Sequence, residues 1–180
     1  MMKNNKIKII VEGKSDEIFI KALIKEIKFE RYFDVVISGG KNKCEILNKK
    51  TIKNHILDAE EDNYKKVIIL IDKITQYDCG IKLDCLIEIK KEYIKRILQN
   101  ETDFIKVVVV EQEIECWQIL GQKDIKDTTR NCYSIAKNKF KGKNKEQLAQ
   151  RSVKKLKDIL ENKNKNKSFV YFLNLLKNNI

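Results

Sequence analysis

Ile7-Lys8-Ile9-Ile10-Val11-Glu12-Gly13-Lys14-Ser15-Asp16 begins as an almost unbroken apolar run and stops abruptly at a carboxylate and a glycine. Continuous runs of β-branched residues mark strands buried on both faces, whereas half-exposed strands alternate. Three further runs have the same character, at residues 34–37, 67–71 and 106–110. The segments between them carry helical spacing. Ile20, Leu23, Ile24 and Ile27 share one face, with Ser15 as the predicted N-cap. A second helix is predicted over 44–59 and a third over 81–98. Strand and helix thus alternate through the first 110 residues. That pattern predicts βαβ units and a four-stranded parallel sheet covered on both sides, a Rossmann-like α/β fold.

Beyond the fourth strand, residues 111–120 read as an acidic-aromatic helix, with Gly121 as its stop and Trp117 as a core anchor. Leu148, Val153, Leu156, Ile159 and Leu160 predict an amphipathic helix starting near Asn144. Residues 163–167 alternate Lys and Asn and read as an exposed linker, and 169–176 as a short apolar helix docked on the core. The predicted organisation is an α/β core over 1–125 and a basic helical extension over 126–180. Gly39-Gly40 after the second strand predicts a tight loop.

Composition narrows the chemistry. Hydrophobic residues make up 42% of the 180, enough for a core, and no apolar run approaches the length of a membrane span. With no signal-like hydrophobic segment at the start, the expectation is a cytoplasmic protein. Five cysteines form no C-x-x-C pair and there is one histidine, His55, so neither a zinc cluster nor a Ser-His-Asp or Cys-His site is expected. The cysteines read as free, mostly buried thiols in a reducing compartment. The net charge is +12, and residues 137–167 alone hold twelve Lys/Arg against three Asp/Glu, or +9. A polycationic segment favours a polyanionic partner. Abundant Lys, Asn and Ile without a single Pro is also what an AT-rich coding sequence produces, so a solvated lysine face is the competing explanation.

Open parallel sheets bind ligands outside the carboxyl ends of their strands, and here that edge is lined with acids. Glu12 follows the first strand, Asp72 the third, and Glu111, Glu113 and Glu115 the fourth, while Asp16 lies one turn into the first helix. Glu111 and Glu115 share a face if their segment is helical, and Glu113 points inward if it is extended; the spacing leaves both open. Gathered like charges call for a cation, and hard oxygen donors select Mg²⁺ or Mn²⁺.

These residues resemble the Toprim superfamily, in particular small stand-alone proteins similar to the Toprim domain of OLD-family nucleases. Val11-Glu12-Gly13-Lys14-Ser15-Asp16 is similar to the first motif, a glutamate and glycine after strand one. Asp72 matches the first acid of the D-x-D motif, but Ile74 stands in place of the second, with Asp78 in the following loop as a substitute. Glu113-Ile114-Glu115-Cys116-Trp117 resembles the E-[IV]-E-x-W segment of that branch, and Gly39-Gly40-Lys41 and Ser168-Phe169 fit it loosely. The resemblance implies a metal-dependent nuclease hydrolysing DNA or RNA. Glu12, Asp72 and Glu113 would be catalytic, and Glu12, Asp16, Asp72, Glu113 and Glu115 would bind Mg²⁺ or Mn²⁺. Lys14 or Lys41 would steady the scissile phosphate, and Lys137, Lys139, Lys141, Lys143 and Lys145 would track the backbone. It also implies a partner ATPase and a role in antiphage defence. The rival expectation is a catalytically weak or inactive module that binds nucleic acid or a partner.

Overall fold

In the computed structural model, which describes residues 6–39, 43–100, 102–122, 124–125 and 131–179, the four runs form one all-parallel sheet. The strands are β1 (Ile7–Val11), β2 (Phe33–Ile37), β3 (Lys66–Asp72) and β4 (Ile105–Val110), in the order β2-β1-β3-β4. Alternate residues of each strand feed two separate apolar layers, as the period of two requires. Ile7, Ile9, Val11, Ile68, Leu70, Val108 and Val110 face one layer. Ile10, Val67, Ile69, Ile71, Val107 and Val109 face the other.

The first layer takes α1 (Lys14–Glu26) together with most of the C-terminal third. That third comprises α7 (Lys145–Ser152), α8 (Leu156–Glu161) and α9 (Lys167–Lys177), after α5 (Glu115–Gln118) and α6 (Cys132–Phe140). Ala149, Leu156, Ile159, Phe169, Phe172 and Leu176 lie in the same cluster as the strands. Trp117 is fully buried there, its ring centroid 5.1 Å from Phe169 and 5.4 Å from Phe172, as a core anchor should be. The second layer takes α2 (Lys49–Glu61) and α4 (Leu86–Tyr93), with α3 (Lys73–Asp78) following β3 directly. No helix among the described residues is long and apolar enough to cross a membrane.

Several local expectations are corrected. Gly13, not Ser15, caps α1, and Asp16 accepts its N–H at 3.0 Å. The second helix starts at Lys49, because Asn48 accepts from the N–H groups of Lys50 and Thr51; residues 43–47 form a 3₁₀ turn. The third shortens to α4 and a π-helical turn over Ile94–Leu98. Asn164, Lys165 and Lys167 are exposed, as in a linker, but Asn166 is 1% exposed. Its side-chain oxygen accepts from the Phe169 N–H at 3.1 Å and the Ser168 hydroxyl at 2.7 Å, which starts α9. Asn166→Ala is therefore expected to cost about 2 kcal/mol, the upper range for a lost cap. A urea midpoint unchanged from wild type would remove that role from Asn166.

The cysteine reading also fails. Cys44 is bonded to Cys79 and Cys116 to Cys132, with Cα separations of 6.1 and 4.9 Å, and Cys85 is free and exposed. The partners lie 35 and 16 residues apart in the chain, so only folding brings them together. Such pairs persist in oxidising surroundings, and the cysteines supply no argument for a reducing compartment.

Candidate active site at the switch point of the sheet

Strand order places β1 and β3 side by side while their crossovers leave for opposite faces. Crevices of this kind, at the carboxyl ends of such strands, bind ligands. Glu12 is the first residue after β1 and Asp72 the last of β3, and the Asp72 N–H donates to Glu12 Oε1 at 2.8 Å. Asp72 also occupies the N-cap position of α3, where an aspartate usually accepts a helix N–H. Here its side chain makes no capping bond, although the residue is buried. The Thr75 hydroxyl, from the first turn of α3, donates to the Glu12 carboxylate.

Three more carboxylates join them. Asp16 is buried against the N-terminus of α1, accepting from the Gly13 N–H and, at 3.1 Å, from the Ser15 hydroxyl. After β4 the chain is neither helical nor extended. Gln112 takes a left-handed conformation (φ 68°) and its carbonyl accepts the Ile74 N–H at 3.0 Å. A non-glycine residue held there costs about 1–3 kcal/mol, and the kink turns Glu113 and Glu115 toward the rim. Glu111 stays half-buried at the end of the strand, its N–H donating to Ser168 Oγ at 3.1 Å.

Burial and mutual repulsion hold these acids far from their ordinary titration. Burial pushes Glu12 up to about 8, against the stabilising bonds from Thr75 and Asp72 and with help from Asp16. Burial raises Asp72 well above the usual carboxylate range, and Glu12, Asp16 and Glu115 add to it. Asp16 is raised mainly by burial, and Glu115 likewise, to about 7.

The cation facing them is Lys145. Its ammonium lies 3.1 Å from Glu113 Oε2 and 3.1 Å from Glu115 Oε1, and 5.5 Å from the centre of the Tyr133 ring. Tyr133 in turn donates its N–H to Glu113 Oε1 at 2.9 Å. These acids, Glu115 first, push the Lys145 pKa above its ordinary value despite the cost of desolvation. Local chemistry puts the lysine there. Asn144 caps α7 by accepting the Gln147 N–H, Leu148 and Ala149 bury the helix, and Lys145 is its first residue. Gly142 permits the approach of the preceding turn, since a Cβ on it would come 2.5 Å from the Leu148 side chain.

The other expected residues fall elsewhere. Ile74 is 38% exposed on the first turn of α3, and Asp78 is exposed in its last turn, lining a cavity of about 210 Å³ with Lys73, Tyr77, Asp84 and Gln112. Asp78 thus does not enter the buried group. Lys14 is exposed and paired with Glu17 at 2.5 Å. Lys137, Lys141 and Lys143 are exposed, Lys139 pairs with Asp124, and Lys41 and Gly40 lie outside the described residues. Lys145 differs from these lysines in facing two carboxylates, Glu113 and Glu115. Sequence reasoning does not reach Thr75 or Tyr133. Thr75 sits in a segment with no helical signal of its own, and Tyr133 acts through its backbone and ring face.

The donor set suits a hard divalent cation: all oxygen, largely buried, with Glu115 Oε1 met by the Lys145 ammonium and Glu115 Oε2 lacking a hydrogen bond among the described residues. The arrangement does not yet do so. Among the described residues no three His, Cys, Asp or Glu side chains are grouped closely enough to hold an ion. The chain matches no family model, no curated protein and no solved structure.

Proposed function

We propose that the chain is a Toprim-type, Mg²⁺- or Mn²⁺-dependent nuclease that hydrolyses phosphodiester bonds of DNA or RNA at the Glu12–Asp72 rim. The observation that carries this reading is a group of buried carboxylates at the switch point of a parallel sheet, several held above their ordinary pKa. Perturbed titratable groups gather where chemistry is done. Glu12, Asp16, Asp72, Glu113 and Glu115 would hold the ion, which supplies Lewis acidity and a nucleophile from water at neutral pH. Glu12 would also serve as the general base, the role that the resemblance gives to the glutamate after strand one. Lys14 or Lys41 would steady the phosphate. A partner ATPase and a place in antiphage defence rest on the sequence resemblance alone, and co-purification with such an ATPase tests them.

The test of the activity is cleavage of mixed single- and double-stranded DNA and RNA by the wild-type chain, with either metal and with a chelator. Chelator-sensitive cleavage supports the reading. A second reading is a module that binds nucleic acid or a partner without cleaving it. Two observations favour that one: Ile74 replaces an expected acid, and Lys145 already neutralises part of the rim.

Either reading uses the exposed lysines of α6 and the turn after it. Reversing Lys137, Lys141 and Lys143 to Glu is expected to flatten the log–log salt dependence of duplex binding by about 3, roughly one per phosphate contact. Fluorescence anisotropy across 50–200 mM salt reads the slope. An unchanged slope would make these lysines a solvated face and nothing more.

A further inference from the structure

We propose that Lys145 is the resident counter-ion of the acidic rim and that a divalent cation takes its place, metal entry and withdrawal of the lysine head group being one exchange. The inference rests on the metal-binding reading of the rim. The donor chemistry suits a divalent ion, yet the carboxylates are not grouped to hold one among the described residues, and a single ammonium stands between two of them at 3.1 Å from each. The lysine's one positive charge faces two carboxylates directly, those of Glu113 and Glu115. A divalent ion on the same oxygens would be repelled by an ammonium left in place, and the repulsion is strong where water is scarce.

The lysine is also placed to leave. Glu115 is 0% exposed, whereas 47% of the Lys145 side-chain surface is open to solvent. The head group reaches in from outside on a flexible four-carbon stem rooted at the first residue of α7. Rotation about that stem moves the ammonium to water without disturbing Leu148 or Ala149, which hold the helix to the core. Withdrawal frees Glu113 Oε2 and Glu115 Oε1, while Glu113 Oε1 stays anchored on the Tyr133 N–H.

Mn²⁺ titration calorimetry at one pH on wild type and Lys145→Gln, joined with acetic anhydride labelling read by mass spectrometry, tests the exchange. Removing the competing cation is expected to tighten Mn²⁺ binding about tenfold, a coupling of ordinary size between two ligands of one site. In the wild type, Lys145 is expected to resist acetylation without metal and to react when Mn²⁺ is bound, with exposed Lys137 unchanged as the internal reference. Mn²⁺ that binds wild type as tightly as or more tightly than Lys145→Gln, or leaves Lys145 protected, would make the lysine a fixed part of the site and overturn the exchange while leaving metal binding intact. Absence of Mn²⁺ binding in both proteins would overturn the exchange and the metal reading together. Should Lys145→Gln fail to fold, Lys145→Gln/Glu113→Gln removes one charge of each sign. Compared with Glu113→Gln alone, it is expected to show the same tightening, and no tightening there would overturn the proposal.

Discussion

Glu12→Gln and Asp72→Asn are each expected to lower metal-dependent cleavage about 10³-fold, within the range for loss of a positioned acid–base group. Both substitutions keep shape and local bonding. The amide introduced by Glu12→Gln retains a side-chain oxygen to accept the Asp72 N–H, so the β1–β3 contact survives. Asp72→Asn forfeits no cap, because the Asp72 carboxylate makes no capping bond to α3. A loss of activity with thermal stability maintained or increased therefore reports chemistry rather than folding. Ile74→Asp adds an acid two residues after Asp72 on an exposed position, where it costs little, and is expected to raise activity with Mg²⁺ toward that with Mn²⁺. Cleavage that survives both Glu12→Gln and Asp72→Asn would come from another site or another protein. No cleavage by wild type with any metal or nucleic acid, even beside a partner ATPase, would hand the chain to the binding-module reading.

The metal-free protein is expected to become less stable as pH rises from about 5 to 9, opposite to the usual behaviour of salt-bridged carboxylates. A carboxyl whose folded pKa lies above its unfolded value binds its proton more tightly in the native state. Its stabilising contribution is complete below the unfolded pKa and is lost as pH passes through the folded one. For Glu12 that window runs from the ordinary 4.5 to about 8, and for Glu115 from 4.5 to about 7. At about 1.4 kcal/mol per unit, the loss from Glu12 alone is on the order of 5 kcal/mol by pH 9. Lys145 does not counter the trend there. Its folded pKa is also raised, so the stability it contributes persists until pH exceeds its ordinary range. Glu17 is lowered against its burial by Lys14 and Lys21, so its contribution is complete above the ordinary 4.5 and is lost only at lower pH, outside this window. Urea unfolding midpoints at half-unit pH steps read the curve. Glu12→Gln is expected to flatten it, and a wild-type midpoint that rises between pH 6 and 9 would show that the acids are solvated rather than buried together.

The sheet and two of its acids are legible in the chain because they depend on local pattern. An apolar run buried on both faces has few alternatives to a central strand, and a carboxylate placed one residue after such a run must emerge at the strand's end. Ile7–Val11 with Glu12, and the run ending at Ile71 with Asp72, satisfy both conditions. What happens after β4 is not legible, because Gln112 adopts a strained conformation that no propensity favours and that its carbonyl bond to Ile74 in another element supports. Residues 163–167 read as solvated linker by composition, yet packing sends Asn166 inward, where its amide replaces water for the first turn of α9. The cysteines carry no pairing signal because disulfide partners are chosen by proximity in space. Lys145 is the clearest case. Among twelve cations between residues 137 and 167 nothing in its neighbourhood sets it apart, and its role is decided by α7 packing against the core so that the first residue of that helix meets Glu113 and Glu115. Strand identity and the acids at strand ends follow from short-range burial and periodicity; which charges face one another is a long-range electrostatic fact that only the folded chain determines.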